Sequence, residues 1–239
     1  MAEGVAGIAL GAALAPIAAV GSFIRGRRVV HPTGAVFDAE VVVSDPPSAL
    51  LEGTVMAKPG SYPAIVRLSR GFGLPLARPD VHGLAIRLLD AGGTGWPQDL
   101  LLATVRRKRS GGDTAARTAR YELAFSSLLR IGVPNGVVVL RAFAAQPMPD
   151  DATVHAGAAT GLAFDLAVEA QRGDVHNVGR LTLGSHRSAE VDAALRFNLA
   201  NDAGGLRAVG TLNVARKIIY RASQLGRAAA SKRPPGPNS

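Results

Sequence analysis

The sequence predicts an α+β fold in which short strands form a sandwich or a closed barrel and helices flank it. Three observations carry that prediction. Short runs rich in β-branched residues, bounded by Gly and Pro, recur through the middle of the chain. Two longer stretches carry helical periodicity instead. With 239 residues and 47% apolar content, the chain can bury one sizeable core, and one main domain is expected.

The first element is residues 5 to 24 (VAGIALGAALAPIAAVGSFI), uncharged and long enough to cross a bilayer. It is a poor spanning segment, because Ala and Gly contribute little hydrophobicity, Pro16 interrupts it, and Glu3 stands where a signal peptide carries positive charge. Residues 1–24 are expected to be a helix or arm packed on the domain or on a neighbouring subunit. Peripheral membrane contact through residues 5–24 is the open alternative. The expected location is cytoplasmic.

Strands are predicted at 34–43 (GAVFDAEVVV), 63–69 (PAIVRLS), 83–89 (GLAIRLL), 136–143 (GVVVLRAF), 161–170 and 178–184. A helix is predicted over 113–131, with Asp113 as N-cap and Tyr121, Phe125 and Leu128/Leu129 on one stripe. A second helix is predicted from Val214 to Ala230. Residues 231–239 (SKRPPGPNS) read as a disordered, Pro-rich tail.

Composition removes several chemistries. There are no cysteines, so disulfides, thiolate metal sites and cysteine nucleophiles are excluded, and any metal must be held by His, Tyr, Asp or Glu. The net charge of +9 would suit an anionic partner. Nucleic acid is not expected, because the basic clusters Arg25–Arg28 and Arg106–Arg109 are separate and lack interleaved aromatics to stack on bases. His155, His176 and His186 have no partners at metal-ligand spacing and read as surface or loop residues.

The predicted last helix carries the most chemically suggestive pattern. Arg216, Tyr220 and Arg227 stand at i, i+4 and i+11, within roughly 60° of arc on one helical face. Neighbouring cations favour phenolate over phenol, and a phenolate is a hard anionic ligand suited to ferric iron. An interfacial tyrosine between two solvated arginines fits the same pattern.

From about Arg28 to Arg227 the chain resembles the haem catalases. Arg28-Val29-Val30-His31 followed by Gly34 is similar to the family's distal-histidine segment. Val66-Arg67-Leu68-Ser69 resembles Val-Arg-Phe-Ser, and Asp80-Val81-His82-Gly83-Leu84-Ala85 resembles Asp-Pro-Arg-Gly-Phe-Ala. Val178-Gly179-Arg180-Leu181-Thr182-Leu183 is similar to Val-Gly-Arg-Leu-Val-Leu, and Arg216, Tyr220 and Arg227 match the spacing of the terminal Arg/Tyr/Arg motif.

The resemblance implies an antiparallel β-barrel of catalase type over residues 25–230, with a C-terminal haem-ligand helix and haem b as cofactor. Tyr220 would be the ligand on iron and Arg216 would bond its phenolate oxygen. His31 would be the distal acid–base group, oriented by Ser69. Arg28, Arg67 and Arg227 would hold the propionates, where a guanidinium grips a carboxylate with two parallel bonds.

Departures shape the expected reaction. Where the family reads Asp-Leu-Val-Gly-Asn-Asn, this chain reads Asp99-Leu100-Leu101-Leu102-Ala103-Thr104, so the distal amide is missing and Thr104 is the candidate substitute. His82 replaces an arginine, Pro32 follows the histidine, and the chain is about half the usual catalase length. The expectation is a haem-dependent peroxidase or weak catalase acting on hydrogen peroxide or organic hydroperoxides with an organic electron donor, as a homo-oligomer, a dimer. Allene-oxide-synthase-like hydroperoxide rearrangement and non-enzymatic haem binding or sensing are the alternatives.

Overall fold

The structure is a computed structural model that describes residues 33–44, 49–71, 80–93, 95–104, 124–170 and 173–210. Its centre is a closed antiparallel barrel of eight strands. These are β1 (Thr33–Val43), β2 (Gly60–Arg70), β3 (His82–Leu88), β4 (Gln98–Thr104), β5 (Ala124–Ser126), β7 (Gly136–Ala144), β8 (Ala163–Ala170) and β9 (Val175–His186). They pair in that order, and β9 returns to β1, so the barrel leaves no open edge in its wall. The short strands β6 (Ile131–Val133) and β10 (Arg207–Ala208) extend from β7.

The strands form because their sequences alternate. On β1, Ala35, Phe37, Val41 and Val43 enter the core; on β2, Ala64, Val66 and Leu68; on β3, Leu84, Ile86 and Leu88; on β7, Val138, Leu140, Ala142 and Ala144. The intervening residues face outward. A one-residue slip would exchange the two sets, so burial itself fixes the register. Each of the six strand segments expected from sequence is a strand.

The expected helix over 113–131 is overturned where the structure describes it. Residues 124–126 form β5, paired with β4 and β7, and residues 131–133 form β6. Two effects outweigh the helical stripe. Phe125 is fully buried and meets Phe164 edge-on at 5.7 Å, so barrel closure uses it as a strand residue. Ser126 Oγ accepts from the Leu128 amide at 3.0 Å, and Ser127 Oγ donates to the Leu129 carbonyl at 2.8 Å. Serine bonds of this kind compete with helical ones, and the turn they build puts Leu128 at φ +62°. The expected arm at 1–24, the helix at Val214–Ala230 and the tail at 231–239 lie outside the described residues.

Among the described residues two short α-helices cover parts of the barrel. Helix α1 (Asp151–His155) is capped by Asp150, whose carboxylate accepts the Thr153 amide at 2.7 Å. Helix α2 (Ala189–Ala194) packs on β1. The chain after α2 is pinned to β4 by polar bonds. Asp99 accepts from Arg87 Nε and Nη2, both at 2.7 Å, and from the Asn198 amide and Asn201 Nδ2. Buried Gln98 accepts the Gly204 amide and donates to the Leu206 carbonyl. Among the described residues no helix is long and apolar enough to cross a membrane.

Candidate functional site

Strand alternation divides the expected site residues between the two faces of the barrel wall. On the outer face, direct register pairing lines up Gly34, Ser69, Gly83, Ala103 and Ser126 across five strands. The next outward row holds Val36, Arg67, Ala85 and Leu101. Ser69 and Arg67 therefore share a face and lie two residues apart on β2. Although they point away from the core, both are buried, with relative exposures of 7% and 3%.

Arg67 is held on two sides. Its Nε donates to Asp192 Oδ1 at 2.6 Å and its Nη2 to Oδ2 at 3.2 Å, a bidentate pair with α2. Beneath it stands Gly34, where an added Cβ would lie 2.7 Å from Arg67 Cζ and 2.5 Å from the Leu68 carbonyl oxygen. The guanidinium thus occupies the space that a side chain at position 34 would fill. Ser69 Oγ approaches the Gly83 carbonyl at 3.4 Å.

Thr104 lies on the other face. Its hydroxyl accepts the His82 amide at 3.0 Å, while the residue standing beside Gly83 on the outer face is Ala103. The structure therefore does not bring Thr104 together with Ser69. His31, Arg28, Arg216, Tyr220 and Arg227 lie outside the described residues.

A second cluster, which the sequence reading missed, closes one end of the barrel. Arg70 and His82 are register partners on β2 and β3, and Asp151 at the start of α1 joins both. Its Oδ1 accepts from His82 Nε2 at 2.9 Å, and its Oδ2 pairs with Arg70 Nη1. Asp80, its side chain fully buried, stands 3.7 Å from Arg70 Nε and accepts the Val81 amide at 2.7 Å. His155, one turn along α1, donates from Nδ1 to the Asp151 carbonyl at 2.6 Å. The expectation that His155 is a surface or loop residue is corrected: it lies on a helix, half-buried against this cluster. His186 sits on β9 with its ring 5.3 Å from that of Phe37, and His176 is also on β9.

Burial lowers the pKa of His82, helped by the Arg70 charge, and outweighs the opposing pull of Asp80. Burial likewise lowers that of His155, with the Arg70 and Arg67 charges adding to it and Asp192 opposing. The visible signal for this cluster was Asp150-Asp151 followed by His155 at helical spacing. Nothing local in the sequence says that Arg70 and His82 lie beneath it. Among the described residues no group of His, Asp and Glu is arranged to hold a metal ion.

The barrel order, the outward Arg67/Ser69 pair and the short covering helices define a catalase-like fold. Solved structures bear this out. The chain is similar to a bacterial catalase (TM-score 0.64, 13% identity, 86% of this chain and 58% of that one). It is also similar to catalase A from Saccharomyces cerevisiae (0.61, 11%, 84% and 61%) and to a fungal catalase (0.63, 10%, 86% and 60%). It spans about three-fifths of the length of these relatives. No family model and no curated protein matches the chain.

Proposed function

We propose that the chain is a haem-dependent peroxidase, or a weak catalase, acting on hydrogen peroxide or organic hydroperoxides with haem held against the outer face of β1–β5. The observation that carries this reading is Arg67, a buried guanidinium on the outer wall of a catalase-like barrel, seated over Gly34 and two residues from Ser69. A buried cation so placed suits an anionic group on a flat ligand, and the small residues of the adjoining row leave room for a planar one.

Bound haem would supply the redox chemistry by which a peroxide is reduced and an organic donor oxidised. The chain's residues would do the rest. Tyr220 would ligate the iron, Arg216 would stabilise its phenolate, and Arg28, Arg67 and Arg227 would bind the propionates. His31 would take the proton from the proximal peroxide oxygen and return it to the distal one, with Ser69 holding its ring in place. With Ala103 in the outer-face row, none of the described residues of that row carries an amide side chain, which favours an organic donor over a second peroxide as reductant.

The test is a haem titration of the purified chain followed by absorption spectroscopy, beside Tyr220→Phe. Stoichiometric uptake with a ferric high-spin spectrum, lost or markedly weakened in Tyr220→Phe, is the expected result. Unchanged uptake and spectrum in the variant would end the ligand assignment. Absence of uptake by the unmodified chain would end the haem reading altogether.

A further inference from the structure

At the closed end of the barrel, a cavity of about 10 Å³ lies between Ser69, Arg70 and His82 on the wall and Asp151, Val154 and His155 on α1. That is room for about one water molecule. The chemistry of His155 fixes what such a molecule would meet. A carbonyl oxygen only accepts, so the 2.6 Å bond from His155 to the Asp151 carbonyl places the proton on Nδ1. In the neutral ring Nε2 is then a bare acceptor. Burial and the nearby Arg70 and Arg67 charges keep the ring neutral. Nε2 is itself buried and has no hydrogen-bond partner among the described residues. An orphaned polar atom in such a place is destabilising unless something bonds to it.

We propose that this cavity binds one small O–H donor, either a water molecule or hydrogen peroxide, with His155 Nε2 as its acceptor. The donor must carry a hydrogen, because Nε2 offers only a lone pair. It must be uncharged, because an anion would meet the Asp151 carboxylate and a cation would meet Arg70. The acceptor, His155 on α1, is not among the residues proposed to hold haem, so the site can be probed without it.

Imidazole 15N spectra of the full-length chain without haem provide the test, with His155→Gln used to assign the resonance and Val154→Ile used to fill the cavity. At neutral pH the wild type is expected to show His155 protonated on Nδ1, with an Nε2 resonance displaced from that of a bare acceptor. A nuclear Overhauser contact is expected from a long-lived O–H to the ring. Both signatures should be lost in Val154→Ile. A saturable displacement on adding hydrogen peroxide, absent from Val154→Ile, would identify peroxide as the donor. No displacement with the Overhauser contact retained would identify water. A bare Nε2 without the contact, a proton on Nε2 at neutral pH, or signatures that persist in a folded Val154→Ile would overturn the proposal. Should Val154→Ile not fold, the wild-type resonance and contact decide alone. Failure here would leave the haem titration untouched.

Discussion

Arg67 on β2 and Asp192 on α2, 125 residues apart in sequence, form a two-point ion pair on the outer wall of the barrel. The pair neutralises a guanidinium that is 3% exposed and ties α2 to the wall beside the candidate haem face. It also occupies the two nitrogens, Nε and Nη2, that would most directly grip a propionate. Asp192 thus orders Arg67 and competes for it.

The first prediction follows from that double role. Asp192→Asn leaves Arg67 buried without its counter-charge and should cost about 3 kcal/mol, as removal of one partner of a buried pair commonly does. If a propionate binds at Arg67, the same variant should take up haem roughly tenfold more tightly, the worth of one charge-assisted hydrogen bond. Chemical denaturation and haem titration read the two effects separately. Lower stability with unchanged haem affinity would place the propionate elsewhere.

Gly34 offers a steric test of the same geometry. An added methyl would press on both Arg67 Cζ and the Leu68 carbonyl, so Gly34→Ala should destabilise the fold by about 1–3 kcal/mol. Gly93→Ala also introduces a Cβ, but on a turn where nothing lies within 4 Å. Its cost is conformational only, at φ +69°. Equal unfolding midpoints for Gly34→Ala and wild type would show that Arg67 does not rest on Gly34.

Acid sensitivity should come from the barrel-end histidines. His82 and His155 both titrate below the usual 6.5 in the folded chain. The unfolded chain therefore binds more protons as pH falls past 6.5, and folding stability falls with it. The contribution is intact above 6.5 and is lost progressively below. The carboxyls Asp38, Asp150 and Glu190, whose pKa values are also lowered, act only at more acidic pH. Urea midpoints should drop between pH 7.5 and pH 5.5, and the drop should shrink in a His82→Gln/His155→Gln double variant. A wild-type midpoint that stays flat over that range would refute this account.

The last prediction concerns the reaction. In haem-loaded protein, Ala103→Asn would place an amide on the outer face beside Gly83, whereas Thr104→Asn would place one on the opposite face. Oxygen evolution relative to oxidation of a phenolic donor should rise by about tenfold in Ala103→Asn, consistent with one added hydrogen bond, and should not rise in Thr104→Asn. Dominant oxygen release by the unmodified chain would show that the amide is dispensable here.

The sequence by itself determined the strands whose period-two alternation is long enough to be unambiguous, as in Phe37 to Val43 and Val138 to Ala144. Through the same alternation it determined that Arg67 and Ser69 share a face opposite Leu68. Tertiary structure alone decided the rest. Phe125 carries helical spacing with Leu128 and Leu129, yet barrel closure buries it as a strand residue, because β4 and β7 supply backbone partners that no local pattern announces. Ala103 and Thr104 are equivalent candidates in sequence, and only the register with Gly83 and His82 separates their faces. Asp192 reaches Arg67, and Asp151 reaches Arg70 and His82, across separations over which sequence carries no pairing signal. Such pairs form only after the closed sheet has brought distant strands and short helices to the same wall.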